Sequence, residues 1–239
     1  MPVITFANTK GGAGKTTSLF VLASELVNRG NRVTIVDADP RRWLTRWYGI
    51  VDCGPNLFAA SADEHTIEDT VSRLRKRGGY TLIDLPSTHD ALLAKAIGLA
   101  DHVLIPVQGC AMDAAGGGEV LELLQALESE CNIRIPHSVV LTRVNSAVTT
   151  RSLLAARELL SSHRIPTLDV PLAERAAYRD AFVKGGLLHQ LQSHEVSNLD
   201  RAIDNARRFA DDVLKQMPKE VRVPVSQQRR PAQKAADAA

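Results

Sequence analysis

A glycine-rich string near the amino terminus separates a short apolar run from a stretch with helical character. The string, residues 10–17, reads KGGAGKTT and follows the apolar run Val3–Ala7. Glycines let the backbone turn tightly, so the string predicts a strand, a tight loop and a helix in direct succession. In such a unit the N–H groups of the loop and the positive end of the helix dipole face the same point. The string therefore predicts a strand–loop–helix unit that binds an anion.

The order of residue types in this loop favours phosphate binding over an ordinary glycine-rich turn. Lys15 offers a positive charge to β- and γ-phosphates, the Thr16 hydroxyl is a ligand for Mg²⁺, and Thr17 is expected at the α-phosphate. Thr9 stands where the usual phosphate-loop pattern has glycine, and a second lysine, Lys10, follows it. The remaining loop contacts to the phosphates are expected from Gly11, Gly12, Ala13 and Gly14.

Apolar, β-branched runs alternate with longer helical patterns along the rest of the chain. Strands are predicted at Val3–Ala7, Arg32–Val36, Tyr80–Asp84, His102–Val107, Ser138–Thr142 and Thr167–Val170. Helices are predicted near 15–29, 66–77, 90–99, 114–130 and 149–162. This alternation, with strands apolar on both faces, predicts a mostly parallel twisted β-sheet with helices on both faces.

Two predicted strands end in carboxylates. Residues 33–40 read VTIVDADP, with Asp37 and Asp39 at the end of the apolar run, and residues 80–86 read YTLIDLP, with Asp84 at the end. Ligands of parallel sheets bind beyond the carboxyl ends of the strands. We therefore expect Lys15, Asp39 and Asp84 to share one pocket.

Lys10 and the two acidic segments, in this order, resemble the deviant Walker A NTPases, the P-loop group that holds the ParA and MinD families. The resemblance covers about residues 1–217 and is strongest to small, ParF-like partition ATPases and their relative on T-DNA virulence plasmids. It implies ATP and Mg²⁺ as cofactors, with Asp84 holding the metal through a water and Asp39 orienting the attacking water or contacting the metal. Asp37 is either a supporting carboxylate near the metal or a turn residue.

The same resemblance implies an ATP-dependent homodimer in which Lys10 reaches the phosphates bound by the other subunit. A lysine that points at its own solvent is the alternative. The family segments that flank adenine correspond to Thr142-Arg143 and to residues 169–171. The resemblance therefore implies Arg143 and Pro171 as contacts of the base. A surface arginine at a strand end is the alternative for Arg143.

Non-specific DNA contacts are implied in the segments that follow these strands. The candidates are Arg151, Arg175, Arg179 and Lys184. The family usually has glutamine where Arg41 stands, which leaves the role of this position open. The densest basic cluster lies in residues 73–77, where it closes a helix before Gly78-Gly79 and opposes the helix dipole.

Composition and terminal patterns bound the organisation of the chain. Its 239 residues are 44% hydrophobic with a net charge of +2, so any attraction to nucleic acid must come from a local patch. Apolar residues recur at steps of three and four from Val196 to Met217, which predicts an amphipathic helix. We expect one ATPase domain over residues 1–217 and a basic, disordered tail over residues 218–239.

Several function classes follow, and the first is favoured. It is an ATP-hydrolysing, nucleotide-switched dimer that binds DNA non-specifically. The dimer drives plasmid or chromosome partition, or it positions a DNA-associated cargo. A ParB- or ParG-like centromere-binding protein stimulates its hydrolysis. The chain begins at the first strand without a signal sequence or a ~20-residue apolar span, so a cytoplasmic, nucleoid-associated protein without a membrane partner is expected. A MinD-like membrane-associated positioning ATPase is the alternative. A metabolic or redox relative ranks last, because Cys53, Cys110 and Cys131 have no supporting motif.

Overall fold

The computed structural model describes residues 1–88, 90–109, 111–145 and 148–217, with the backbone alone for residues 111–115. Its sheet has six strands, and every pairing between them is parallel. The strands are β1 (Val3–Phe6), β2 (Val33–Asp37), β3 (Leu57–Ser61), β4 (Tyr80–Asp84), β5 (His102–Gln108) and β6 (His137–Thr142). Their order across the sheet is β3-β2-β4-β1-β5-β6, which places β1 near the middle. The predicted parallel α/β fold is confirmed.

Eight α-helices cover the two faces of this sheet in the described part of the chain. They are α1 (Lys15–Asn28), α2 (Trp43–Tyr48), α3 (Ile67–Arg75), α4 (Ala91–Leu99), α5 (Ala111–Cys131), α6 (Arg151–Ser162), α7 (Ala176–Lys184) and α8 (Leu199–Gln216). None of the helices in the described ranges is long and apolar enough to cross a membrane.

Residues of the five strands other than β3 enter two separate hydrophobic cores, one on each face of the sheet. In β1, Ile4 and Phe6 pack with α1, α2, α7 and α8, whereas Val3 packs on the other face with α3, α4 and α5. Successive side chains of a strand point to opposite faces, so a sheet that is buried on both sides needs apolar residues at every position. This is why the strands read as continuous apolar runs.

The register brings the carboxyl ends of the central strands level with one another. Asp84 at the end of β4 pairs with Phe6 of β1 on one side and with Asp37 of β2 on the other. The loop after β1 therefore lies beside the ends of β2 and β4, where the sequence predicts its carboxylates.

The edges of the sheet differ from the sequence prediction. β3, which the sequence analysis did not predict, pairs with β2, and the guanidinium of Arg32 lies 4.0 Å from the centre of the Phe58 ring. The predicted strand Thr167–Val170 is wrong: only an isolated bridge joins Thr167 to Val139. Its backbone turns to α8 instead, because the N–H of Val170 donates to Asp212 Oδ2 at 2.9 Å.

The terminal helix is present, and its apolar side is buried. Ala202, Ala206, Phe209, Ala210 and Val213 are fully buried in the core that also holds α1. The predicted basic tail, residues 218–239, lies outside the described residues, as does Cys110, while Cys53 is buried and Cys131 is exposed.

Candidate functional site

The glycine-rich loop presents free backbone N–H groups at the start of α1. Gly12 and Gly14 have φ angles of 80° and 99°, which only glycine adopts without strain. The N–H groups of residues 11–17 have no hydrogen-bond acceptor among the described residues, and no side chain caps α1. Buried or confined N–H groups without partners are costly, so this cluster is suited to an anion with several oxygens.

The carbonyl groups of the loop, in contrast, are held by side chains from distant strands. Gln108 Nε2 donates to the carbonyl of Gly12, and Thr142 Oγ1 donates to that of Ala13 at 2.8 Å. The two donors lie at the carboxyl ends of β5 and β6. Because the carbonyls are bound on the sheet side, the loop is held in the conformation that exposes its N–H groups.

Lys15 is buried at the centre of the loop. Its Nζ donates to the carbonyl of Asn8 at 2.8 Å, to the carbonyl of Lys10 at 3.4 Å and to Ser87 Oγ at 2.5 Å. Burial lowers the pKa of Lys15, while the nearby charges of Asp84 and Asp39 act in the opposite direction. The ammonium group lies where a phosphate oxygen would exchange with these neutral acceptors.

Asp84 and Thr16 form a half-satisfied pair. Thr16 Oγ1 donates to Asp84 Oδ2 at 2.8 Å, whereas the buried Oδ1 of Asp84 has no partner among the described residues. The pKa of Asp84 is raised to about 7, mainly by burial; the charges of Asp37 and Asp39 act in the same direction, and Thr16 and Lys15 act against it. An unpartnered carboxylate oxygen beside a threonine hydroxyl is ready for a cation or its water.

This donor set fits Mg²⁺ that arrives with phosphates. The described residues contain no group of three His, Cys, Asp or Glu side chains placed to hold a metal by themselves. Mg²⁺ commonly keeps several waters and is held by one or two carboxylates together with substrate phosphates. Thr16 and Asp84 offer what such a complex needs from the protein.

Asp37 and Asp39 lie on the same turn but have different roles. The carboxylate of Asp37 is fully buried and accepts hydrogen bonds from the N–H and hydroxyl of Thr45, at 2.9 and 3.0 Å, and from the N–H of Asp39 at 3.3 Å. The carboxylate of Asp39 is partly exposed and accepts from the N–H of Arg41 at 2.8 Å. Asp37 thus holds the start of α2. The charges of both aspartates act on Asp84, and that of Asp39 also acts on Lys15.

A cleft beside the loop is lined by part of the predicted base contacts. Gly14, Thr17 and Arg143 line it together with the segment from Leu172 to Arg179. Arg143 is exposed, with a positive φ of 52°. Pro171 lines a neighbouring cavity against α8 instead, and Asn205 Nδ2 donates to its carbonyl at 2.9 Å.

The four residues predicted to contact DNA lie in different surroundings. Arg175 and Arg179 line the cleft beside the loop, and Arg179 also pairs with Glu174 at 3.4 Å. Lys184 ends α7 and pairs with Glu195 at 3.5 Å, while Arg151 is exposed at the start of α6. The structure does not gather the four into one continuous patch of unpaired cations.

Sequence reasoning missed the residues that support the loop. Asn8, Ser87 and Gln108 hydrogen-bond its lysine or its backbone, and so does Thr142, which the sequence predicts only as a neighbour of the base. The signal was present in part, since each of the four follows or ends a predicted strand. Polar residues at these positions face the ligand side of a parallel sheet.

Comparisons with known proteins agree with the arrangement. The family model described as VirC1 protein matches residues 1–227. The chain is 35% identical to Protein ParA of Rhizobium radiobacter, over 93% of this chain and 100% of that protein. It is 32% identical to Protein virC1 of the same organism, over 79% of this chain and 83% of that protein.

Solved structures show the same fold at lower identity. The complex of Cyanothece McdA(D38A) with ATP matches with a TM-score of 0.72 and 19% identity, over 93% of this chain and 99% of that one. The MinD cell division protein of Aquifex aeolicus matches with a TM-score of 0.68 and 19% identity, over 90% of this chain and 98% of that one. At this identity the likeness establishes the fold alone.

Proposed function

The chain belongs to the VirC1 family of ParA-type ATPases, and from this premise we propose that it is an ATP-hydrolysing switch that positions DNA or a DNA-associated cargo. The observation that carries the proposal is the assembled loop: seven backbone N–H groups without an acceptor among the described residues belong to the same loop as a buried lysine and as the threonine that donates to Asp84. Relatives named for plasmid partitioning and for carboxysome distribution support a role in positioning.

The chemistry of the site is the transfer of a phosphoryl group to water. Lys15 and the amides of residues 11–17 bind and orient the phosphates, which is most of what this reaction asks of a protein. Thr16 and, through a water, Asp84 would hold Mg²⁺, which would neutralise charge on the phosphates. Asp39, partly exposed at the rim and close to both Lys15 and Asp84, orients the attacking water.

Lys10 is the residue that we expect to link the two subunits of the switch. In the proposed cycle, ATP lies between two protomers, and Lys10 of each reaches the phosphates held by the other. Lys10 lies on the outer part of the loop and is only half-buried, whereas Lys15 is buried beneath it. Hydrolysis removes the group that both lysines contact, so the dimer separates and the signal ends.

The dimer is the form that we expect to bind DNA without sequence preference. Arg151, Arg175, Arg179 and Lys184 remain the candidate contacts, and a centromere-binding partner of the ParB or ParG kind would stimulate hydrolysis. Such a protein would reside in the cytoplasm on the nucleoid. Phosphate contacts by arginine and lysine weaken with added salt, so the binding should fall steeply as salt rises.

The geometry of α8 disfavours the alternative of a membrane-binding switch. A membrane-seeking helix must present bulky apolar residues outward. The apolar side of α8 is buried against α1, and the exposed Asp211 on the same helix pairs with Arg29 at 2.7 Å. The helix therefore stabilises the domain.

Two lysine variants test the proposal. Lys15→Ala should weaken binding of a fluorescent ATP analogue, because it removes the buried ammonium group. Lys10→Ala should keep that binding within about threefold. It should weaken ATP-dependent dimerisation and the retention of non-specific duplex DNA, each by at least about tenfold. Analytical ultracentrifugation and DNA retention with ATP and with ADP provide the measurements.

The same assays can also refute the proposed function. Equal DNA retention with ATP and ADP would refute the switch. A monomeric parent protein in saturating ATP and Mg²⁺ would refute the shared site.

A further inference from the structure

Helix α5 touches the phosphate loop at a point that leaves no room for a side chain. The carbonyl of Gly116 accepts hydrogen bonds from the N–H and hydroxyl of Thr9, at 3.4 and 3.3 Å. A Cβ atom built on Gly116 would lie 2.4 Å from Asn8 Oδ1, 2.7 Å from Lys10 N and 2.8 Å from Lys10 Cβ. Real Cβ atoms essentially never approach other atoms this closely, so the contact depends on glycine.

The atoms that Gly116 faces have little freedom to move away. Asn8 is buried; its Nδ2 donates to the carbonyl of Pro106 at 2.7 Å, and its Oδ1 accepts from the N–H of Lys10 at 2.8 Å. Lys10 N is part of the backbone, and Lys10 Cβ is fixed directly to it. An added methyl group at Gly116 would therefore displace the backbone of Lys10 itself.

Neighbouring glycines show that the restriction is local. A Cβ on Gly118 would meet nothing within 4 Å. A Cβ on Gly117 would lie 2.8 Å from Val107 Cγ2, which is a contact with the sheet and not with the loop. Glycine is unfavourable inside a helix, so its presence at position 116 calls for a reason, and close approach to the loop supplies one.

We propose that Gly116 is a positioning residue for Lys10. By letting α5 lie directly against Asn8 and Lys10, it sets the direction in which the lysine side chain leaves the loop. This inference rests on the proposed role of Lys10 in the neighbouring subunit. Gly116 forms no hydrogen bond with the N–H groups of residues 11–17 or with Lys15. Its one link to Lys15 runs through the carbonyl of Lys10, which accepts from Lys15 Nζ at 3.4 Å, a long bond, so nucleotide binding within one subunit should change much less than the dimer.

The test compares Gly116→Ala with the matched control Gly118→Ala in the full chain. Both replace glycine by alanine in the same helix, but only the first displaces Lys10. Gly116→Ala should bind the fluorescent ATP analogue within about threefold of the parent, with ATP-dependent dimerisation weakened by about tenfold to a hundredfold, the range that a misplacement near 1 Å can cause. Gly118→Ala should dimerise like the parent and unfold at a higher temperature.

A double variant separates positioning from general damage. If Gly116 acts through Lys10, adding Gly116→Ala to Lys10→Ala should lower the residual hydrolysis rate no further, because the two changes remove the same interaction. Should Gly116→Ala fail to fold, Thr9→Val tests the same contact, because it removes the hydroxyl that donates to the carbonyl of Gly116. It is expected to keep nucleotide binding and to weaken the dimer.

Several outcomes overturn the inference. They are a Gly116→Ala protein that dimerises like the parent, one that loses nucleotide binding together with the dimer, or an additive loss in the double variant. If Gly116→Ala fails to fold, a Thr9→Val protein with a normal dimer overturns the inference as well. A parent that does not dimerise with ATP points to failure of the proposed function, whereas a parent that dimerises through Lys10 without needing Gly116 points to failure of this inference alone.

Discussion

Replacing Asp37 by asparagine separates a structural carboxylate from a metal-supporting one. Three donors face this buried carboxylate: the N–H and hydroxyl of Thr45 at Oδ2, and the N–H of Asp39 at Oδ1. An asparagine side chain places an NH₂ donor against one of these sides. In one orientation it loses the bond from Asp39, and in the other it loses both bonds from Thr45.

The magnitude follows from the charge of the acceptor. A hydrogen bond to a charged group contributes about 1.5–3 kcal/mol, and bonds to the neutral amide are weaker. Losing one or two such bonds and weakening the rest should lower the free energy of unfolding by about 2–4 kcal/mol. The loss should be present without nucleotide or Mg²⁺, because it comes from the turn between β2 and α2.

Two measurements decide between the roles. Urea unfolding without ligands reports the stability loss, and a Mg²⁺ titration of ATP-analogue binding reports any role at the metal. We expect the Mg²⁺ midpoint to stay within about threefold, since Thr16 and Asp84 provide the protein's donors. Thr45→Val, which removes the hydroxyl bond to Asp37 together with an exposed one to Ser61 but keeps the bond from the N–H, should lose only about 1–2 kcal/mol. Unchanged stability together with a tenfold higher Mg²⁺ requirement would refute the structural role.

Two further predictions concern stability away from the site. Arg75→Met should lower the free energy of unfolding in urea by about 3–5 kcal/mol, because Arg75 Nη1 lies 3.0 Å from Oδ2 of the fully buried Asp101. Arg77 lies at the exposed end of the same basic cluster, so Arg77→Met should change it by less than about 0.5 kcal/mol. Equal effects would contradict the buried pair. Burial, followed by the charge of His137, lowers the pKa of His102 to about 4 from 6.5, so the unfolded chain binds a proton in this range that the folded protein does not. Stability should therefore fall as pH drops from about 6.5 to 4, by up to about 3 kcal/mol, and His102→Phe should flatten this slope in a series of urea midpoints.

Much of the fold followed from patterns that are local in the chain. Strands buried on both faces read as apolar runs, and five of the six were predicted in this way. β3 escaped because its sequence, LFAAS, has no β-branched residue and lies at the edge, where pairing with β2 alone defines it. The segment from Thr167 to Val170 has the right composition for a strand, but Asp212 of α8 takes its backbone donor.

The sequence by itself determined which residues form the loop and end the acidic strands, because a glycine-rich turn, a lysine, a threonine and strand-end carboxylates are recognisable from neighbours in the chain. Tertiary structure alone decided what holds that loop: Ser87, Gln108, Gly116 and Thr142 reach it from 70 or more residues away. It also decided the partners of Asp37, since its donors on Thr45 come from the next helix. The physical reason is that parallel strands bring their carboxyl ends together irrespective of sequence distance, so the partners of a site are set by the order of strands in the sheet.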